Sequence, residues 1–188
     1  EEISRKETSK KMEVSMPIFV IAIKDKIDSK SCNSSAIVKK HIAIEILLNM
    51  LIGKSSKLYK KLYETEMITG EPYLEYEFSK QYAHIAITGQ SNKPKEVLKM
   101  LQEEIKKFKE NEIDVDHFNR IKNMIYGNYV KEYDDVASIC RMFVADYIKG
   151  INSFEYIENY KQVTPEYVKQ VLEEVFIDEK TVISIVEP

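Results

Sequence analysis

His41 and Glu45 are side chains of the kind that hold metals or move protons, and they stand four residues apart in an apolar segment, so a helix there would point both the same way. A zinc site needs three or four ligands, and no other His or Cys is adjacent in the chain. The pair therefore reads as a helix-surface or sheet-packing pair, with no metal ligand and no catalytic residue assigned. His84 falls on a strand face with Ala86 and Thr88, and His117 opens a helix beside two Asp residues. Nucleophilic catalysis would need a base beside Ser or Cys, and no G-x-S-x-G turn is present. Cys140 lies on an apolar stripe and reads as a small core residue, while Cys32 lies in a Ser-rich loop. The five glycines, at 53, 70, 89, 127 and 150, are too scattered for a phosphate loop. Glu103-Glu104, Asp134-Asp135 and Glu173-Glu174 read as solvated helix faces. The twelve tyrosines could stack on bases, but without a basic groove they read as amphipathic core and interface residues.

These side chains must be positioned by elements that the pattern of apolar residues predicts. Ile18 to Ile23 form a β-branched run bounded by Pro17 and by charges, which suits a buried strand. Apolar residues are so dense from Ile37 to Ile52 that the helix there must be covered on most of its circumference, and Gly53 ends it. Ser55 and Ser56 offer cap oxygens to a second helix carrying Leu58, Tyr59, Leu62 and Tyr63. Two alternating strands follow, Tyr73 to Phe78 and Ala83 to Thr88, joined by a turn at Ser79, Lys80 and Gln81.

Pro94 starts a helix with one stripe through Val97, Leu98, Leu101, Ile105 and Phe108. Asp116 can cap or charge-complement the next helix, whose stripe runs from Phe118 through Tyr129, Tyr133, Val136, Cys140 and Phe143 to Tyr147. That length predicts a break near Gly127 or Asp134-Asp135. A short helix follows around Phe154 to Tyr160, Thr164-Pro165 opens another, and Thr181 to Val186 form a last strand. The fold class is α+β: an antiparallel or mixed sheet of about four strands covered by helices. Residues 1–11 read as a linker or frayed terminus and 12–188 as one domain.

The chain has 188 residues, 28 Lys plus Arg against 31 Asp plus Glu, and a formal charge of -3, a balance that speaks against nucleic acid as partner. The longest apolar run is broken by Glu45 and Asn49, well short of the roughly 20 residues that span a bilayer, so no membrane is expected. Two distant cysteines point to a reducing, cytoplasmic home. The sequence opens at Glu1 without Met, which reads as a piece cut from a longer protein.

Several strings, in order, resemble one family, the pitrilysin-like (M16) zinc metallopeptidases, and within it the second α+β domain of one half-molecule of a bacterial member. They are Met16-Pro17-Ile18-Phe19-Val20 before a strand and Leu51-Ile52-Gly53-Lys54-Ser55-Ser56-Lys57-Leu58-Tyr59, which runs into Leu62-Tyr63-Glu64 and is similar to the family's LxGxSSxLxxxLxE. Next come Ile87-Thr88-Gly89 and Phe118-Asn119-Arg120-Ile121-Lys122-Asn123, which is similar to EExxRxKN. The resemblance covers Met12 to Pro188.

The resemblance implies a zinc peptidase about twice this length, with the zinc in an upstream domain. The family's H-x-x-E-H is absent, since His41-x-x-x-Glu45 has another spacing and lacks the second His, so this chain by itself is expected to hold no cofactor and to be inactive. The family's substrate-holding Arg and Tyr would fall at Tyr63 and Gly70, so neither is retained. The implied partners are a peptide substrate, the upstream domain and a homologous partner subunit in a dimer. Tyr59, Tyr63 and Glu64, after the Gly-Ser-Ser turn, are the expected substrate-binding residues. The alternative is a non-catalytic interaction module of a degenerate peptidase-like subunit. An unrelated small-ligand domain would instead show a deep pocket with convergent polar groups.

Overall fold

The computed structural model describes residues 3–26, 33–79 and 81–188. Among these, one five-stranded sheet is built from β1 (Glu7–Lys11), β2 (Ile18–Asp25), β3 (Tyr73–Phe78), β4 (Ala83–Gln90) and β5 (Thr181–Glu187), in the order β1-β5-β2-β4-β3. β1 joins β5 in parallel and the other neighbours are antiparallel, so the sheet is mixed. The helices are α1 (Ser34–Ile52), α2 (Lys57–Glu64), α3 (Pro94–Glu110), α4 (Val115–Lys131), α5 (Val136–Lys149), α6 (Glu155–Gln162) and α7 (Pro165–Val175). The α+β class read from the sequence is the observed one.

The sheet turns one face to the helices. Phe19, Ile21 and Ile23 of β2 are fully buried, and their register partners Ile87 and Ile85 on β4 and Ile185 and Ile183 on β5 continue the same apolar face. Burying such a side chain contributes roughly 1.5–3 kcal/mol. Over this face lies α1, which is wrapped by α2, α3, α4, α6 and α7. Ten of its 19 residues are buried, as the density of apolar residues requires. A polar tie fixes α1 to the sheet: the Lys40 ammonium lies 2.7 Å from Asp25 Oδ2, and the Tyr76 hydroxyl donates to that oxygen at 2.7 Å.

Gly53 closes α1 where the chain must double back tightly. A Cβ at that position would come within 2.7 Å of the Asn49 carbonyl oxygen, a backbone atom that cannot step aside. The next helix is then capped by Ser56, whose buried side chain accepts from the Tyr59 N–H at 3.0 Å.

Two details differ from the sequence reading for local causes, while a third, the helix break, falls where it was expected. Glu7–Lys11, read as linker, adds a fifth strand whose residues are all exposed, so no apolar alternation marks it; pairing to β5 and an ion pair between Glu7 and Lys95 hold it. The helix after residue 114 is capped by Asp114, which has the extended backbone a cap needs and whose side chain accepts from the His117 N–H at 3.0 Å, while Asp116 sits in the first turn, where its charge complements the helix as the other expected role had it. The expected break falls at Asp134-Asp135: a 3-10 turn ends at Asp134, and Asp135 caps α5 by accepting from the Ser138 N–H at 2.7 Å. Lys80, in the expected hairpin turn, and Cys32 lie outside the described residues.

Candidate functional site

His41, Glu45 and Asn49 recur every four residues along α1, so one flank of this largely buried helix is polar. That flank forms the wall of a cavity of about 570 Å³. The opposite walls come from α4, through Ile125 and Tyr129, from α5, through Arg141 and Asp146, and from α6, through Tyr156 and Tyr160.

The tyrosines meet because two pairs sit at helical spacing on adjacent helices. The Tyr129 and Tyr156 rings are 5.2 Å apart and those of Tyr129 and Tyr160 6.0 Å, and Tyr126 meets Tyr160 edge-on at 5.4 Å. Tyr129 donates its hydroxyl proton to the Ser153 carbonyl at 2.6 Å. The Tyr156 hydroxyl lies 2.6 Å from His41 Nδ1. The His41 ring is also packed edge-on against Phe78 at 5.3 Å. Ser153 in turn donates to Asp146 at 2.6 Å.

Removal of water from this flank sets the electrostatics. Burial pushes the Glu45 carboxyl up to about 7. Burial, with help from the Lys149 charge, pushes His41 down to about 4, so its imidazole is neutral at neutral pH. Burial also raises Asp146, against the opposing hydrogen bond from Ser153 and the Lys149 charge. The phenols of Tyr129, Tyr156 and Tyr160 are all raised, chiefly by burial, and stay protonated. The arrangement can accept a polar or charged group.

His41 and Glu45 do not complete a metal site. Among the described residues no three His, Cys, Asp or Glu side chains gather as a ligand set, so the residues present do not fit the zinc that the family implies for its other domain.

Tyr59, Tyr63 and Glu64 lie on α2 and none of them lines this cavity. The rings of Tyr59 and Tyr63 stack at 5.8 Å, with Tyr63 54% exposed, and Glu64 pairs with Lys60 at 3.8 Å. His84 lies on β4 against Tyr82. His117 is depressed by burial, and its Nε2 has no hydrogen-bond partner among the described residues. Cys140, read as core, is exposed on α5, a helix whose buried residue is Asp146 rather than an apolar one. Sequence reasoning passed over Asp146, Tyr129, Tyr156 and Tyr160 as a group. The signal available was the four-residue spacing within Tyr129/Tyr133 and Tyr156/Tyr160.

Comparison with known proteins places this architecture. Residues 35–125 match the peptidase M16 inactive domain family. The uncharacterized zinc protease YmfH of Bacillus subtilis (strain 168) is 25% identical over 189 aligned residues, covering 99% of this chain and 43% of that protein. The chain thus spans less than half the length of the curated relative it matches. An M16-like protein from Alicyclobacillus acidocaldarius superposes with a TM-score of 0.88 at 20% identity, over 98% of this chain and 44% of that one. A peptidase M16 inactive domain from Pseudomonas fluorescens gives 0.72 at 16% identity, over 97% of this chain and 43% of that one. Across residues 35–125 the chain is thus similar to the peptidase M16 inactive domain family, and over nearly its whole length it is similar to a zinc protease and shares the fold of M16-like structures.

Proposed function

We propose that this chain is the non-zinc-binding domain of a zinc-dependent peptidase, that it walls the peptide-binding chamber, and that it contacts a partner half of the enzyme in the cytoplasm. The observation that carries this reading is the alignment of nearly the whole chain with 43% of a zinc protease, through a family described as inactive. The division of labour is physical. An upstream domain with H-x-x-E-H polarises the scissile carbonyl, while this domain excludes water and fixes the peptide. Tyr59, Tyr63 and Glu64 line the chamber in this reading, offering two stacked ring faces and a carboxylate on an exposed helix.

Zinc content and hydrolysis of a quenched fluorescent peptide test the proposal, measured on this chain and on a polypeptide that joins it to an H-x-x-E-H half. Zinc and activity are expected only in the joined protein. Metal binding or hydrolysis by the 188-residue chain itself would overturn the proposal.

A second reading, a non-catalytic assembly module, is favoured by one feature. Val136, Val144, Tyr147 and Ile148 of α5 are exposed at 75%, 59%, 84% and 71%. Such a run of apolar surface suits a subunit contact. An upstream sequence without H-x-x-E-H, in a protein that assembles but does not cleave, would select this reading over the first.

A further inference from the structure

The cavity beside α1 has the chemistry of a receptor for an organic cation. Its volume, about 570 Å³, falls among the roughly 300–1,000 Å³ of pockets that hold small organic groups. Tyr129, Tyr156 and Tyr160 form a cluster of rings on its wall. Two of their hydroxyls are already engaged, Tyr129 with the Ser153 carbonyl and Tyr156 with His41; Tyr156 and Tyr160 are buried behind Tyr129, so the π surface open to an occupant is chiefly that of the half-buried Tyr129 ring. Such surface carries negative charge on its faces and attracts cations within about 6 Å.

The charges beside these rings point the same way. Among the described residues no hydrogen-bond donor or cation is paired with the Glu45 carboxylate, which lines the cavity. Asp146 receives one hydrogen bond, from Ser153. The nearby cations are engaged elsewhere: Lys149 lies 3.2 Å from Glu77 and over the Phe78 ring, and Arg141 donates to Ser138 at 3.0 Å and lies 3.9 Å from Asp135. His41 is neutral at neutral pH. The cavity therefore holds the Glu45 carboxylate with no cation paired to it among the described residues, while the Lys149 charge acts on Asp146.

We propose that this cavity binds a guanidinium or ammonium group against the Tyr129 ring, with Glu45 as its counter-ion. The cation is either the basic side chain of a peptide or a free amine or guanidine, and the chemistry of recognition is the same. The assignment holds whether or not the wider protein cleaves peptides. Glu45 is faced by His41 on its own helix, by Tyr129 and Glu132 from the α4 side, by Arg141 and Asp146 from α5 and by Tyr156 and Tyr160 from α6. Its carboxyl, held up to about 7, loses its proton more fully as the pH rises, so affinity for a cation increases between about pH 6 and pH 8.

The test is a chemical-shift or calorimetric titration with three probes: Nα-acetyl-arginine methylamide, methylguanidinium, and the neutral citrulline analogue of the first. Both cationic probes are expected to bind, the citrulline analogue at least tenfold more weakly than its arginine counterpart. Glu45→Gln, an isosteric change checked for folding by circular dichroism, is expected to weaken the cationic probes about tenfold and to abolish the rise with pH. Tighter binding of the arginine methylamide than of methylguanidinium assigns the site to a peptide side chain, and equal binding assigns it to the head group alone. Citrulline binding as tight as arginine, an unchanged affinity in Glu45→Gln, or no binding of either cation at millimolar concentration would overturn the proposal. None of these results bears on hydrolysis by the joined protein, so the two proposals fail separately.

Discussion

α1 and α5 are both rich in apolar residues, yet ten residues of α1 are buried while α5 buries Asp146 and leaves Val136, Val144, Tyr147 and Ile148 in solvent. The difference lies in their neighbours. α1 is laid across the sheet and ringed by five other helices, whereas α5 is joined to α4 through the turn at Asp134 and meets the rest of the fold along one narrow edge, where Ile139, Met142 and Phe143 are half-buried beside Asp146. Apolar composition measures how much a helix could gain by burial; whether it gains it depends on what the chain brings against it.

The comparison breaks most readily inside α1. Leu47→Ala removes a fully buried side chain from a close-packed position and is expected to cost about 3 kcal/mol in urea unfolding. A cost under about 1 kcal/mol would mean that the packing around α1 is far looser than described.

The polar flank of the same helix behaves differently. Glu45 keeps its proton in the folded chain up to about pH 7 but loses it near 4.5 when unfolded, so stability falls as pH rises across that interval. His41 has the opposite sign. Its pKa is about 4 folded and 6.5 unfolded, so stability rises across that range, and the two slopes largely cancel where they overlap. Glu45→Gln removes only the first. The variant is expected to be more stable than the wild type by about 3 kcal/mol at pH 8 and equal to it at pH 4. An offset that does not change with pH would sink this account.

Smaller effects belong to α5. Gly150 closes this helix with φ 79°, a left-handed conformation that Ala adopts only with strain, so Gly150→Ala is expected to lower stability by about 1 kcal/mol. Val144→Ala, on the exposed face, is expected to lie within about 0.5 kcal/mol of the wild type. A larger loss in the isolated chain would show that this face is covered, by a second copy or by rearrangement, and sedimentation would tell the two apart.

Much of the fold was legible in the residues because the relevant physics acts over a few positions. Ser56 and Thr164 cap the helices they precede, Pro94 and Pro165 occupy first-turn positions, and the acidic pair at Asp134-Asp135 breaks the long helix as its length requires. The candidate site was less legible. His41 and Glu45 stood out by spacing, but Tyr129, Tyr156, Tyr160 and Asp146 come from three different helices and share no pattern with them. Cys140 shows the same gap: helical periodicity marks a stripe, not what covers it.

By itself, then, the sequence determined the α+β class, the helix ends, the strand faces and the absence of H-x-x-E-H, because propensity, capping and alternation are set within a turn or a strand. Only the tertiary structure decided that β1 joins the sheet, that α5 stays exposed and that one flank of α1 becomes a water-poor wall of carboxylate, imidazole and phenols. Those outcomes depend on residues more than a hundred positions apart being packed together, and the shifts of Glu45 and His41 arise from the water that this packing removes.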